Sequence, residues 1–393
     1  MKILFLVYEI EGFGGNFNRA FSFSRGLASL GCDVTVISGR KSVGFRRIIR
    51  ADHNVRFIQL ADLLPRKIRY AGFSLIDIFG RIRYLLPEKF DIIHTFSHRP
   101  SVSFPALIKK KFDQTVIVSD WADLWGHEGI AKTRSAIARS TLGIFDEYWE
   151  KKYHLQTSAT TVISSYLAKH AENIGINPRR LHQLPVGANH DIIFPADRSA
   201  ARKRHGLPVS SKILVYSSLN EYDSEYLTNA IIALLKKDQN LFFCIAGHNG
   251  KIFLHKLSKA NLLDRIKFFG VVDHAMLIDI ISCGDLMILP YHNILLNQAR
   301  FPNRFGEYIS AGKPIATHLT GDLGNIIVEE KIGIALKEGM GEFCDGILDL
   351  LSSPAMLEAM GERARHLAEN KFSIFRLSEK LLNFYHNLIN RTN

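Results

Sequence analysis

Short apolar runs recur along this chain, and nearly every one is followed by a stretch whose apolar residues fall at helical spacing. Residues 2–7, 33–38, 55–60, 91–95, 116–118, 160–165 and 180–185 read as the strands of one largely parallel sheet. Beyond a linker over 195–208 the pattern starts again, with strands expected at 212–219, 241–247, 265–270 and 286–290 and helices over 224–235 and 276–282. Strand and helix in alternation build a doubly wound α/β sheet, and 393 residues exceed what one hydrophobic core sustains. The expectation is α/β, two Rossmann-like doubly wound domains facing a central cleft, at 1–200 and 201–371, with a terminal helical segment at 372–393.

Ligands of such sheets lie beyond the carboxyl ends of the strands, and the polar clusters of the first half fall there. Gly12, Gly14 and Gly15 follow the first strand, His94 ends the fourth and is followed by His98, and Asp120, Trp121, Asp123 and Trp125 follow the fifth. The glycine turn lets backbone approach a ligand and aims a helix N-terminus at it. It lacks the third spaced glycine of a dinucleotide fingerprint and has no P-loop lysine, so no cofactor is expected there. His94, His98, His127, Asp120 and Asp123 include no histidine pair at the helical spacing that sets two ligands on one face, so no metal is expected. Trp121 and Trp125 would either offer flat apolar faces to a sugar or lipid or pack inside.

In the second half the densest stretch is 301–315, Phe-Pro-Asn-Arg-Phe-Gly-Glu-Tyr-Ile-Ser-Ala-Gly-Lys-Pro-Ile. Tyr308, Ile309 and Ala311 make the apolar side of a short helix, Gly312 supplies its left-handed end, Pro314 forbids continuation and Ile315 opens a strand. Glu307 lies in the first turns of that helix. An ionised carboxylate there can accept two hydrogen bonds from a vicinal diol, although a glutamate at a helix start also simply offsets the helix dipole.

Charge separates the halves. Residues 1–200 hold 28 Lys and Arg against 18 Asp and Glu, and residues 40–111 hold 16 against 5, interleaved with Phe45, Ile48, Ile49, Tyr70, Phe73, Leu75, Ile76, Ile78 and Phe79. Such interleaving suits an anionic membrane surface or an anionic lipid-linked acceptor, or else a solvated basic helical face. No nucleic-acid module is present, which argues against nucleic acid as partner. The four cysteines are scattered, with no disulfide or zinc spacing, and fit a reducing cytosol. The opening run, interrupted by Glu9 and Glu11, reads as a strand, and no apolar run reaches the length of a membrane span.

The motif Pro302-x-Arg304-x-x-Glu307-Tyr308-x-Ser310-x-Gly312-Lys313-Pro314, followed by Gly321 and Asn325-Ile326-Ile327, resembles the donor segment of the GT4-type retaining glycosyltransferases with a GT-B fold. The resemblance implies that Glu307 holds the nucleotide ribose. It implies that the loop and helix over 320–327, including Gly321, Leu323, Gly324 and Asn325, receive the diphosphate on backbone amides, with Arg304 and Arg300 adding charge. Gly14 and Gly15 would lie near the diphosphate and acceptor, Asp123-Leu124-Trp125 would face the acceptor, and the last helix would return to the N-terminal domain. Asp123 and His94 are the catalytic candidates. Because the leaving diphosphate can take the acceptor's proton in that family, a dedicated side-chain base is not required.

Two departures qualify the resemblance. The family commonly pairs two glutamates eight positions apart, and here Ala299 precedes Glu307, so contact with the hexose hydroxyls is lost or moves to Asn297 or Gln298. The basic pair usual after the first C-domain strand is also missing, since residues 218–224, starting with the donor-side candidate Ser218, contain no Arg or Lys. The expected function is transfer of a hexose from a nucleotide sugar to a hydroxyl of a glycan, a lipid-linked acceptor or a cell-surface polysaccharide such as lipopolysaccharide. It is expected in the cytoplasm or at the inner membrane face, with retention and without a metal. The competing readings are a nucleotide-sugar epimerase of the same fold and a non-catalytic basic protein binding membrane or nucleic acid.

Overall fold

The computed structural model describes residues 1–12, 14–126, 128–219, 224–248 and 250–392. The chain forms two compact units, one of residues 1–187, 299–303 and 374–393, the other of residues 188–298 and 304–373. In the first unit, β1 (Lys2–Ile10), β2 (Asp33–Gly39), β3 (Ile48–Asp52), β4 (Val55–Gln59), β5 (Ile92–Phe96), β6 (Val116–Trp121), β7 (Ala159–Val162) and β8 (Leu181–Gln183) form one sheet. Its order is β3-β4-β2-β1-β5-β6-β7-β8, parallel except for β3 on β4. The chain winds outward from β1 to one edge and then restarts at β5, so the switch point lies between β1 and β5.

Sheet strands buried on both faces explain the near-continuous apolar runs. One face meets Phe17, Phe23 and Leu27 of the helix Gly15–Ser29 and Leu377, Leu381 and Tyr385 of the helix Ile374–Thr392. The other face meets Leu85, Val102 and Ala106. Across this unit a buried ion pair ties helix to sheet: Arg19 Nε and Nη2 donate to Asp120 at 2.8 and 3.0 Å, and Arg19 Nη1 donates to the carbonyl of Pro185 at 2.9 Å.

The second unit is a wholly parallel sheet of β9 (Lys212–Leu219), β10 (Leu241–Gly247), β11 (Ile266–Gly270), β12 (Leu286–Leu289), β13 (Ile315–His318) and β14 (Gly333–Leu336), ordered β11-β10-β9-β12-β13-β14. Its switch point lies between β9 and β12.

The boundary near residue 200 shifts to 187, for a local reason. Ala188 N donates to the carbonyl of Phe372 at 2.7 Å, and Arg365 Nη1 and Nη2 donate to the carbonyls of Ile193 and His190 at 2.8 and 3.1 Å. That clasp ties the linker to the second unit. Residues 299–303 belong instead to the first unit, where Ser164 Oγ donates to the Ala299 carbonyl at 2.5 Å. The basic stretch at 40–111 also differs from a plain helical face: 48–52 is the antiparallel edge strand β3, and Arg69, Arg81, Arg99 and Lys109 are buried.

Candidate functional site

At the carboxyl edge of the second sheet, the helix Asn303–Ser310 is pinned by its own motif residues. Tyr308 is fully buried, and its hydroxyl accepts from Ser217 N at 3.0 Å at the end of β9. Arg304 is buried too: Nη1 donates to the Ser217 carbonyl at 2.9 Å, Nη2 to Tyr291 Oη at 3.0 Å, and the guanidinium lies 4.7 Å from the Tyr216 ring centre. The sequence reading cast Arg304 as a cation for the diphosphate; the structure makes it a tie between β9 and the segment after β12. The backbone of Ser218 ends β9, while its side chain and residues 220–223 lie outside the described residues.

Glu307 projects from this pinned helix. Its Oε2 is buried without a hydrogen bond, and burial, opposed by neighbouring Arg304, pushes the carboxyl up to about 7. Gly312, with φ of 63°, ends the helix as expected.

At the carboxyl end of β13 starts the helix Gly321–Glu329, whose N-cap Thr320 makes no side-chain capping bond. Gly321 has φ of 57°, and a Cβ there would stand 3.1 Å from the Cα and carbonyl oxygen of Gln298, so a side chain would be strained by the backbone and crowded against residues 297–298. Gly324 is buried, Leu323 points into the core and Asn325 is exposed, which leaves the first-turn amides as what this helix offers a ligand.

Apart from Asn297, sequence reasoning did not find the polar ring beside that helix start. Asn297 Nδ2 donates to the His292 carbonyl at 2.7 Å, His292 stacks on Tyr226, and Tyr226 Oη meets His318 Nε2 at 2.8 Å. Burial pushes His318 down to about 4, so it is neutral. Asn297 Oδ1, His292 Nδ1, His318 Nδ1 and Thr320 Oγ1 are all buried without a hydrogen bond, as is Glu307 Oε2. No spacing rule marks these histidines, because they come from the ends of two different strands.

The opposite edge behaves differently. A concavity of about 880 Å³ lies at the amino ends of the strands, but its buried cations are already engaged: Arg202 donates to Asp285 and to the carbonyls of Cys283 and Ser211, and Lys313 Nζ donates to the carbonyls of Ser282 and Gly284 at 3.0 and 2.8 Å. Size favours that concavity; unsatisfied valence favours the carboxyl edge.

In the first unit Asn16, Ser97, His98, Asp123 and Trp125 border a small cavity at the carboxyl ends of β1, β5 and β6. Asp123 is half-buried; burial raises its carboxyl, Arg300 opposes the rise and Asp120 adds to it. Arg300 thus acts on Asp123 within this unit. Gly15 begins the helix Gly15–Ser29, and its carbonyl accepts from Asn303 Nδ2 at 2.9 Å. The N-terminal amide of Phe17 is taken by Glu9 Oε2 at 2.8 Å, so this helix start already carries a carboxylate of its own.

His94 is a correction. It is fully buried, with Nδ1 against Tyr385 Oη at 2.6 Å and Nε2 against Thr161 Oγ1 at 3.1 Å, and burial drives it down to about 3. It anchors the last helix from a fully buried position. Trp121 is likewise internal, stacked on His154 with ring centres 4.2 Å apart. Glu150, which the sequence did not single out, accepts from Trp121 Nε1 at 2.8 Å and from the amides of Trp125 and Gly126 at 3.1 and 3.2 Å, which fixes the loop bearing Asp123. Of the residues weighed for a metal, Asp120 is spent on Arg19 and His127 lies outside the described residues.

Residues 13–192 match the family described as Glycosyltransferase Family 4, and residues 197–367 match Glycosyl transferases group 1. This chain belongs to the GT4-type glycosyltransferase family. Two curated relatives of this GT4-type chain are an alpha-D-kanosaminyltransferase of Streptomyces kanamyceticus, 26% identical over 53% of this chain and 56% of the relative, and a D-inositol 3-phosphate glycosyltransferase of Catenulispora acidiphila, 22% identical over 48% and 47%. The chain spans about half the length of the curated relatives it matches. Among solved structures, a sucrose-phosphate synthase of Thermosynechococcus elongatus superposes with a TM-score of 0.81 over the whole of both chains at 16% identity. WaaG, a glycosyltransferase involved in lipopolysaccharide biosynthesis, gives 0.71 over 96% of this chain and 98% of its own at 16% identity. These likenesses and the two parallel sheets establish the GT-B fold.

Proposed function

We propose that this chain transfers a hexose from a nucleotide sugar to a hydroxyl of a glycan or lipid-linked acceptor, with retention and without a metal. The observation that carries the reading is the set of unbonded buried polar atoms on the segments that follow β12 and β13, Glu307 Oε2 among them, together with an uncapped helix start after β13. Burying such atoms unpaired costs about 1–3 kcal/mol each, a cost that a polar ligand offsets by bonding them. Glu307 would accept from the ribose hydroxyls and the first-turn amides of Gly321–Glu329 would receive the diphosphate, where the helix dipole meets the charge that develops as it leaves. In the transfer itself the bond from the anomeric carbon to the diphosphate oxygen breaks, the acceptor oxygen bonds that carbon, and the acceptor's proton passes to the diphosphate. Asp123, held by the Glu150-fixed loop, is assigned to acceptor binding.

Structures of Anabaena HepE, 13% identical, contain UDP-glucose or UDP with glucose, which makes UDP the first nucleotide to test. Calorimetric titration of UDP, GDP and ADP should show one that binds, and Glu307→Ala should weaken it at least tenfold with the fold intact. Unchanged affinity would end the assignment. Activity that survives EDTA, with an α-configured donor giving an α-configured product, checks the other two terms.

The acceptor or its membrane is assigned to the basic, apolar face of the first unit. Phe45, Phe79 and Leu75 are 79%, 68% and 60% exposed there, and Arg46, Arg47, Arg66, Lys67 and Arg83 are exposed in the same segment. Leu75, Phe79 and Arg83 form one stripe of the helix Leu75–Leu85. No helix among the described residues is long and apolar enough to cross a membrane, so the proposed association is peripheral, from the cytoplasmic side. Arg66→Glu with Lys67→Glu should abolish co-sedimentation with anionic vesicles; Arg69 is left alone because it donates to the Leu64 carbonyl at 2.8 Å from a buried position.

A further inference from the structure

Recognition of the transferred sugar needs a polar group next to the diphosphate site, and residue 299, where the family commonly has a glutamate, is a fully buried alanine. Two positions earlier, Asn297 is only 3% exposed. Its Nδ2 donates to the His292 carbonyl, and since a carbonyl only accepts, that contact fixes which amide atom is which. Oδ1 is therefore the acceptor that remains, buried and unbonded.

The same backbone stretch, the carbonyls of Asn297 and Gln298, lies against Gly321 at the start of the uncapped helix. Thr320 Oγ1 and His318 Nδ1 precede that helix start, and both are buried and unbonded. His318 is held in place by Tyr226 Oη and by stacking on Phe343 with ring centres 4.4 Å apart, so its free nitrogen has a fixed direction. Acceptor amide, hydroxyl and imidazole thus belong to residues that flank one short stretch of backbone contact, the amide and the imidazole each fixed through its other polar atom.

We infer that Asn297, with Thr320 and His318, is the sugar-specificity site, and that it selects a neutral hexose whose hydroxyl donates to Asn297 Oδ1. The inference rests on the donor assignment above and names the part of it that reads the sugar. A neutral amide in place of a carboxylate gives an ammonium no counter-charge, so protonated amino sugars are disfavoured; a buried cation is tolerated chiefly when it is paired.

The test is calorimetry on the full chain with UDP, GDP and ADP and with the glucose, galactose and glucosamine conjugates of whichever diphosphate binds. Wild-type protein should bind a neutral hexose conjugate at least tenfold more tightly than the bare diphosphate or the glucosamine conjugate. Asn297→Ala should reduce that gain to within twofold while leaving the bare diphosphate's affinity unchanged. Asn297→Asp, close to isosteric and so protected against a folding defect, should reverse the preference toward the glucosamine conjugate. A sugar gain that survives Asn297→Ala overturns the inference and leaves the donor site standing. A wild-type protein that binds no nucleoside diphosphate overturns both.

Discussion

Glu307→Gln separates the ligand role of this side chain from its role in folding, because the two respond in opposite directions. The carboxyl titrates at about 7 in the fold against an ordinary value of 4.5. At about 1.4 kcal/mol per pH unit, ionising it in place costs about 3.5 kcal/mol, reduced to about 2 kcal/mol by the residual solvent contact of a partly buried residue. Below pH 4.5 the group is protonated folded and unfolded, and it costs nothing. As pH rises from 4.5 through 7 the unfolded chain loses its proton first, so stability falls and the penalty is complete above pH 7. A glutamine of the same shape escapes that penalty. For a unit of this size, about 2 kcal/mol corresponds to about 4–8 °C in Tm. Differential scanning fluorimetry should therefore show Glu307→Gln melting higher than wild type at pH 8 and level with it at pH 4.5. Titration at pH 8 should show nucleotide affinity lost by tenfold or more, since a diol needs two acceptors. Equal melting at both pH values would refute the burial argument, and retained affinity would refute the ribose contact.

Three further perturbations test the frame around the sites. Asp120→Ala leaves the Arg19 guanidinium buried without its carboxylate, so the first unit should lose about 3–5 kcal/mol in urea denaturation, most of it recovered in the Arg19→Met, Asp120→Leu double variant. Glu150→Ala releases the indole N–H of Trp121 and two amides; it should raise the acceptor KM while leaving nucleotide Kd within twofold, as measured by initial rates and calorimetry. Gly321→Ala places a side chain on left-handed backbone and against Gln298, costing about 1–2 kcal/mol in denaturation and weakening diphosphate binding in the same titration.

What could be read from the chain and what could not follow from how local each signal is. Most parallel strands were legible because burial on both faces writes apolar runs into the sequence, and the helix at 303–310 because Gly312 and Pro314 punctuate it locally; the four-residue parallel strand β14 was not. β3 was not legible: Ile48–Asp52 is an exposed edge strand with no apolar alternation imposed by a core. His94 was misplaced because a histidine at a strand end looks the same whether it faces a ligand or a buried tyrosine 291 residues away. Arg304 shows the same limit, since the motif marks its importance but not that its donors are spent on Ser217 and Tyr291. The His292–Tyr226–His318 ring depends on three distant segments meeting, which no local pattern encodes.

The two ends of the second sheet treat their buried polar groups differently among the described residues. At the amino ends Arg202 and Lys313 are saturated by carbonyls and Asp285, as expected where polar groups serve the fold. At the carboxyl ends one carboxylate oxygen, an amide oxygen, a hydroxyl and one nitrogen of each of two imidazoles are withdrawn from water without a hydrogen bond. Exchanging the Glu307 carboxyl for a neutral group of similar shape would stabilise the empty protein at neutral pH, so folding stability alone gives no reason for that carboxyl to be there. The side chains that hold them, Arg304 and Tyr308 under Glu307 and Tyr226 and Phe343 around His318, are by contrast fully engaged. A rigid support under unsatisfied groups is the arrangement that lowers the ordering cost of binding a polar ligand, because nothing has to move or lose a bond for the ligand to be received.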